Sequence, residues 1–515
     1  MRIDHYSALR AKSSLVHFVA GKAVSAITGI SYLILLVRFM QAEHYGGYIA
    51  LIALIELFYL STGLGLSTIA QRYVAEFRVK ASGSRFHRFL GRIFLWRLGL
   101  SVLFSMVVVL GHQLLLPMLG LEPVMPVVLM IVVLLVASAS VFFLDAVLGA
   151  LLYQGLSQGL GVMRGVMKLS AVIYAIQATG GITIEWVLLQ ECIIVTISLA
   201  IGHAVLHAKL RALPDHGSAG NADAARDAGD DYANPNMLST ARKFYVVQLL
   251  GQTYAPSASK LIVTRILGLG NTAAFGFAQS IADMLRNYLP AHLLAGWLRP
   301  IMVSRYLARR DLADLTDISN LVLKLNLLGI VPLAVFFLFR GDAFAYWITG
   351  GRYPQAGNLL VLLTLMVGLQ TVHLMFSMIT ITLEQASANL VATVLAAASL
   401  PMTVALIYTF GIEGAAWGLL ASETIWLLSA GWLLARRGYS VAWDVRGALR
   451  IFLAGSIAGL GLWLSGFDKP VLVHMLSSAA IVGIVFLVVS ALLKPLRERE
   501  RALVRGIMPG RLVVW

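Results

Sequence analysis

The chain has 515 residues, of which 59% are hydrophobic and only 13% charged, and its mean hydropathy is +0.82. That composition excludes an ordinary soluble globular domain and places the chain among integral membrane proteins. The net charge of +15 would suggest nucleic acid in a soluble protein; here the cations gather in short segments between apolar runs, where they set orientation in a bilayer, and no nucleic-acid partner is expected.

About 20 residues are needed to cross the hydrocarbon as a helix. The first apolar run, 14–37, is too long for a signal-peptide core, carries Lys22 and leads into further spans, so it is read as a retained first helix. The pattern then predicts spans at 14–38, 46–70, 93–116, 124–151, 162–179, 183–208, 244–267, 272–298, 318–340, 357–381, 387–409, 412–435, 449–466 and 471–493. The fold class is therefore all-α, a polytopic membrane bundle of about 14 transmembrane helices. With the N-terminus cytoplasmic, the inside segments carry 28 Lys and Arg residues, whereas the outside loops keep four, Arg38, Arg340, Arg352 and Lys469. One missing or extra span would invert every later loop, so the asymmetry supports the even count and cytoplasmic termini.

Residues 209–243 are rich in Ala, Gly, Asp and Asn and read as a flexible cytoplasmic linker. They separate an N-terminal six-helix half, 1–208, from a C-terminal six-helix half, 244–435; residues 436–515 add two helices and a basic cytoplasmic tail. The halves are faintly alike. Arg72-Tyr73-Val74-Ala75 follows the second predicted helix and Arg305-Tyr306-Leu307-Ala308 the eighth. Helices six apart run in the same direction, which makes the halves pseudo-symmetric, as a parallel repeat with a central cavity.

Ionisable side chains at membrane depth cost about 2.5–3.5 kcal/mol each on insertion scales, so they are the default site candidates. Lys22 shares a helix face with His17, Gly21, Ser25, Thr28 and Tyr32. The seventh helix carries Gln248, Gln252, Pro256, Lys260 and Arg265, and Pro256 is expected to kink it. The eighth carries Gln279, Asp283 and Arg286; the tenth carries Gln370, His373, Ser377, Thr380 and Glu384. Glu56, Asp145, Glu191, Lys324 and Glu423 complete the set.

The candidate cationic substrate-binding residues are Lys22, Lys260, Arg286, Lys324 and Arg265. Candidates for polar cavity lining or ion coupling are Glu56, Asp145, Gln252, Gln279, Asp283 and His373. Alternatives stay open. Arg97, Arg164, Lys168, Lys324 and Arg265 fall near predicted helix ends, where they could snorkel to headgroups. Asp283 and Arg286, at i and i+3, could neutralise each other. His373 could relay protons or serve as an interhelical hydrogen bonder. Trp96, Trp297, Trp347, Trp417, Trp443 and Trp463 fit an interfacial aromatic belt.

Cys192 is the one cysteine, so neither a disulfide framework nor a thiolate metal site is expected. No phosphate-loop spacing and no His/Cys metal constellation occurs, and the longest outside loop, about 340–356, is too short to house an active site. No catalytic residue, metal or cofactor is expected, and the protein is read as a non-enzyme.

Val37-Arg38-Phe39-Met40-Gln41-Ala42-Glu43-His44-Tyr45-Gly46-Gly47-Tyr48, with Gly63-Leu64-Gly65-Leu66 and Gln71-Arg72-Tyr73-Val74-Ala75, resembles the polysaccharide flippases of the multidrug and oligosaccharidyl-lipid exporter superfamily. The resemblance continues at Ser304-Arg305-Tyr306, at Gly350-Gly351-Arg352-Tyr353-Pro354-Gln355-Ala356 and at Gly411-Ile412-Glu413-Gly414-Ala415-Ala416, and covers most of 14–435. It implies two six-helix halves, often with two added C-terminal helices, and export of polyprenyl-diphosphate-linked oligosaccharides by alternating access in a bacterial inner membrane. It also implies a cationic cavity for the anionic carrier. Implied partners are the lipid-linked oligosaccharide, membrane lipids, and a glycan polymerase or glycosyltransferases of the same pathway. A cation-coupled multidrug antiporter of the same superfamily is the alternative, and would use acidic residues in its cavity.

Overall fold

The structure is a computed structural model that describes residues 8–64, 66, 74, 83–122, 124–151, 153–211, 245–309, 311–466, 469–498 and 500–501. The expected linker at 209–243 lies almost wholly outside the described residues. The described chain is helical, apart from one isolated bridge between Met40 and Ile182. It divides into two compact units, Met1–Gln252 and Thr253–Trp515.

The first unit holds α1 (Ala8–Phe39), α2 (Ala42–Ser61), α3 (Gly83–Met118), α4 (Met125–Ala150), α5 (Gln154–Thr179) and α6 (Ile184–Arg211). A further helical stretch covers 245–252. α1 packs along α5, and α4 is flanked by α3 and α6. Phe86, Phe89 and Ile93 of α3 meet Phe143, Leu144 and Val147 of α4, with Leu160 and Leu206 closing the cluster. The fifth span was predicted at 162–179, but α5 begins at Gln154. Arg164 therefore sits ten residues into its helix, about 15 Å from the start. α3 likewise starts ten residues early, which carries Arg97 away from a helix end.

The second unit holds α7 (Pro256–Leu267), α8 (Leu269–Tyr288), α9 (Pro290–Arg309), α10 (Leu312–Thr349), α11 (Ala356–Thr382), α12 (Ala386–Ala397), α13 (Leu400–Arg436), α14 (Val445–Leu464) and α15 (Leu472–Leu493). Prolines redraw the predicted seventh and eighth spans. Pro256 does not kink a continuous helix but opens α7 behind an extended Ala255, because a first-turn residue needs no N–H partner. Pro290 opens α9, and Leu289 before it is extended at φ −71°, ψ 142°, as steric clash with the proline ring demands. α10 runs on to Thr349, so Arg340 lies within it and not in an outside loop.

Among the described residues, eleven helices or helical stretches are long and apolar enough to cross a membrane, and one of these is the 51-residue run Ala386–Arg436. That run reverses on itself. Gly411 has φ 60° and ψ −135°, which only glycine adopts without strain. Beyond it Gly414 abuts the Leu406 carbonyl, Gly418 abuts Thr403, and the Ser422 and Ser399 hydroxyls bond at 2.7 Å. The pairing of ever more distant residues about one turn marks two antiparallel limbs, matching the two spans predicted at 387–409 and 412–435. The first limb breaks once more at 398–399, ahead of Pro401.

The core of this unit joins Met375, Phe376 and Ile379 of α11 to Trp426, Ala430 and Leu434 of α13, with Leu315 and Ile318 of α10. A second cluster seats α14 and α15 on α10 through Ala454, Ala458, Leu462, Val482, Phe486 and Val331. Gly455 and Gly459, one turn apart on α14, face Val331 and Phe339 so closely that a Cβ would lie 2.4 Å and 2.9 Å from them. Small residues four apart allow this approach where burial from water supplies no driving force.

Candidate functional site

Interior polar groups form separate clusters within each unit. In the first unit Glu191 on α6 is a hub. Lys168 on α5 pairs with it at 2.6 Å, and the Tyr32 and Tyr48 hydroxyls donate to the same Oε1 at 3.4 and 3.3 Å. Gln190 donates to the Tyr32 hydroxyl at 3.0 Å, and the Lys168 ammonium lies 5.8 Å from the Tyr32 ring centre. Four helices thus converge on one buried carboxylate. Burying that anion is tolerable because an ammonium neutralises it and hydroxyls fill its remaining lone pairs.

Asp145 on α4 accepts from Ser157 at 2.7 Å and from Arg164 at 3.4 Å, and Arg164 also donates to the Ser198 hydroxyl at 3.1 Å. Snorkelling was one expectation for Arg164 and Lys168; both instead turn to carboxylates inside the bundle. Arg97 departs further from that expectation. It is 1% exposed and donates to the backbone carbonyl of Tyr59 at 2.7 Å, in the last turn of α2. A cation there meets the negative end of the helix dipole. Lys22 on α1 and Glu56 on α2 are each half-buried.

In the second unit Lys260 projects from α7 and is 6% exposed, and no ion pair to it occurs among the described residues. Arg265, one turn and a residue further on, is exposed in the last turn of the same helix. On α8 Arg286 pairs with Asp283 at 2.9 Å and reaches Gln370 on α11 at 3.5 Å. The i, i+3 pairing is therefore formed, yet both side chains remain about a third exposed. Gln279 is fully buried with neither amide atom hydrogen-bonded; at the end of the first unit the Gln252 side-chain oxygen is likewise unmatched.

His373 on α11 and Glu423 on α13 meet at 2.8 Å through Nδ1 and Oε2. The imidazole lies flat on Trp426, with ring centres 3.6 Å apart and 9° between planes. Trp426 is wholly buried and is held by its indole N–H donating to Thr393 at 3.1 Å. Nothing in the hydropathy pattern singled out Trp426. It lies three residues beyond Glu423, one helical turn away, and that spacing was the available signal.

Lys324 does not reach toward headgroups either. It is 1% exposed and binds Glu500 at 2.7 and 2.9 Å as well as Asp444, which Arg497 also contacts at 3.0 Å. Burial pushes the Asp444 carboxyl up, but hydrogen bonds from Lys324 and the Gly447 N–H, with the charges of Lys324 and Arg497, outweigh it and hold the group below its ordinary value. The cluster fastens the segment after α15 and the start of α14 to α10. Trp96, Trp417 and Trp463 are exposed, as a belt requires, whereas Trp443 packs on Phe376 at 5.1 Å.

No protein-family model matches the sequence, and no curated protein matches it. Solved structures share its fold. The lipid II flippase MurJ in an inward closed conformation superposes over 95% of this chain and 100% of its own, at 14% identity and a TM-score of 0.67. An inward-facing multidrug resistance MATE family transporter of the MOP superfamily covers 88% and 99%, at 14% identity and 0.55. A Vibrio cholerae MATE transporter covers 84% and 98%, at 17% identity and 0.53. The chain is a polytopic all-α membrane bundle that shares the fold of these three structures.

Proposed function

We propose that the protein is a transporter, not an enzyme, and that it moves a polyprenyl-diphosphate-linked oligosaccharide from the cytoplasmic to the outer leaflet by alternating access. The observation that carries this reading is the distribution of unanswered charge. Asp145, Glu191, Asp283 and Glu423 are each matched by a side chain of the protein itself. Lys260, 6% exposed, forms no ion pair with a carboxylate among the described residues. A buried ammonium without a counter-ion is costly, and a diphosphate entering beside it offsets that cost with charge-assisted hydrogen bonds. Arg286 adds a planar guanidinium suited to phosphate oxygens, since among the described residues one carboxylate and a neutral glutamine hold it. In the first unit Lys22, half-buried on α1, is a separate candidate cation.

The fold likeness to a lipid II flippase is consistent with this substrate class. The likeness to MATE transporters keeps a multidrug antiporter as the alternative. A cationic drug would need an unpaired deep carboxylate, and the four carboxylates above are occupied. The test is complementation of glycan export by Lys22→Ala, Lys260→Ala and Arg286→Ala combined. Export is expected to fall to background at normal protein level, with Lys260→Arg retaining most of it. Export that survives the triple replacement refutes the cationic site.

A further inference from the structure

Resting on the transporter reading, we infer that the His373–Glu423 couple is a proton-binding site whose occupancy is linked to anion binding at Arg286. The couple joins two different helices of the second unit, and His373 is about a quarter exposed while Glu423 is nearly buried. With Glu423 ionised, Nδ1 carries the shared hydrogen and donates it to Oε2. An incoming proton then binds at Nε2, and the net charge of the couple changes from minus one to zero. Both states keep the hydrogen bond, and the flat Trp426 face accommodates a neutral or a cationic ring.

Charged and titratable groups lie on the elements packed against the couple, and α13 itself also carries Glu413 and Arg436. Tyr254 lies within electrostatic reach of Glu423. α12 contributes no charged side chain between Ala386 and Ala397. α10 carries Asp314, Asp317 and Asp342, besides Lys324, which is committed to Asp444 and Glu500, and Arg340, which donates to Ser478 and backbone carbonyls. On α9 His292 lies within reach of Arg286, Arg299 is exposed and Arg305 is half-buried. On α7 Lys260 and Arg265 remain, and on α8 Asp283 and Arg286 hold each other.

The link to Arg286 is one helical turn of α11. Gln370 precedes His373 by three residues, on the same face, and its side-chain oxygen accepts from Arg286. Unprotonated, the couple presents an extra negative charge near the guanidinium and competes with an incoming phosphate. Protonation removes that charge. Anion binding and proton binding are then mutually reinforcing, as linkage requires.

The full-length protein in nanodiscs is titrated from pH 8.5 to 4.5 while tryptophan fluorescence is followed. A sigmoidal change is expected that disappears in both Trp426→Phe and His373→Gln; no Trp426-dependent change overturns the proton site. In vesicles of neutral and anionic lipids, flipping of a fluorescently labelled undecaprenyl-diphosphate disaccharide is then measured at pH 8 and pH 5.5. Wild type is expected to accelerate roughly fivefold or more in acid, while His373→Gln and Glu423→Gln flip at rates with altered or no acid response. A His373→Gln profile that overlays wild type overturns the coupling. A clear Trp426 titration with no flipping by wild type leaves the proton site standing and refutes the substrate reading instead.

Discussion

Glu191 illustrates how a buried charge is made tolerable residue by residue. It is 5% exposed at its side chain, and only Lys168 among its partners brings a full positive charge; Tyr32 and Tyr48 bring neutral dipoles. Lys168→Met therefore leaves an ionised carboxylate with hydroxyl donors alone, and is expected to cost about 3 kcal/mol. Lys168→Met combined with Glu191→Gln removes both charges and recovers much of that loss. Thermal unfolding of the purified protein in detergent checks the order, and a double variant no more stable than Lys168→Met would mean the pair is not a unit. At this scale the sequence exposed which side chains were out of place but not what answered them. Lys22, Lys260, Glu191 and His373 stand out against apolar neighbours. Partners such as Asp444 and Glu500 for Lys324, 120 and 176 residues away, are set by packing and leave no local trace.

Between helices, two devices hold α14 and α15 to the rest of their unit. The first is close packing at Gly455 and Gly459 against Val331 and Phe339 of α10. Gly455→Leu has no room, so the helices must separate or distort, at a cost of about 1–3 kcal/mol; a lowered melting temperature measures it, with the exposed Leu453→Ala as a neutral control. The second is the Asp444 cluster. Because the folded carboxyl titrates below its unfolded value, its contribution is complete above the ordinary carboxylate pKa of about 4 and is lost as pH falls through the lower folded value. Acid below about pH 4 is expected to loosen this attachment, read as faster proteolysis after α15, and Asp444→Asn should be loosened already at neutral pH. Element boundaries divide along the same line. Spans with ordinary ends, such as 183–208 and 471–493, fall close to α6 and α15. Pro290 and Pro256 carried their boundary signal openly, and the apolar run that surrounds each outweighed it. Gly411 is the converse, a single residue whose φ separates two limbs within one unbroken hydropathy peak.

Across the whole molecule, orientation is the property on which every loop assignment depends. The segments placed inside hold 28 cations and those outside hold four, and the structure reassigns one of the four, since Arg340 is buried within α10, where it donates to the Phe339 carbonyl. Short cationic loops stay on the side where the membrane potential and anionic lipids retain them, so both termini are expected in the cytoplasm. Cys192 is the sole native thiol and is buried, which makes Cys192→Ala a clean background for placing single cysteines. On that background, cysteines at Glu122, Gly180 and Lys469 should react with a membrane-impermeant maleimide added to intact cells. Cysteines at Gly83 and Gly438 should react only after the membrane is opened. Because consecutive loops must alternate, one cysteine labelling on the wrong side would locate a miscounted span between it and its neighbours, and labelling reversed at all five would invert the direction of transport proposed above.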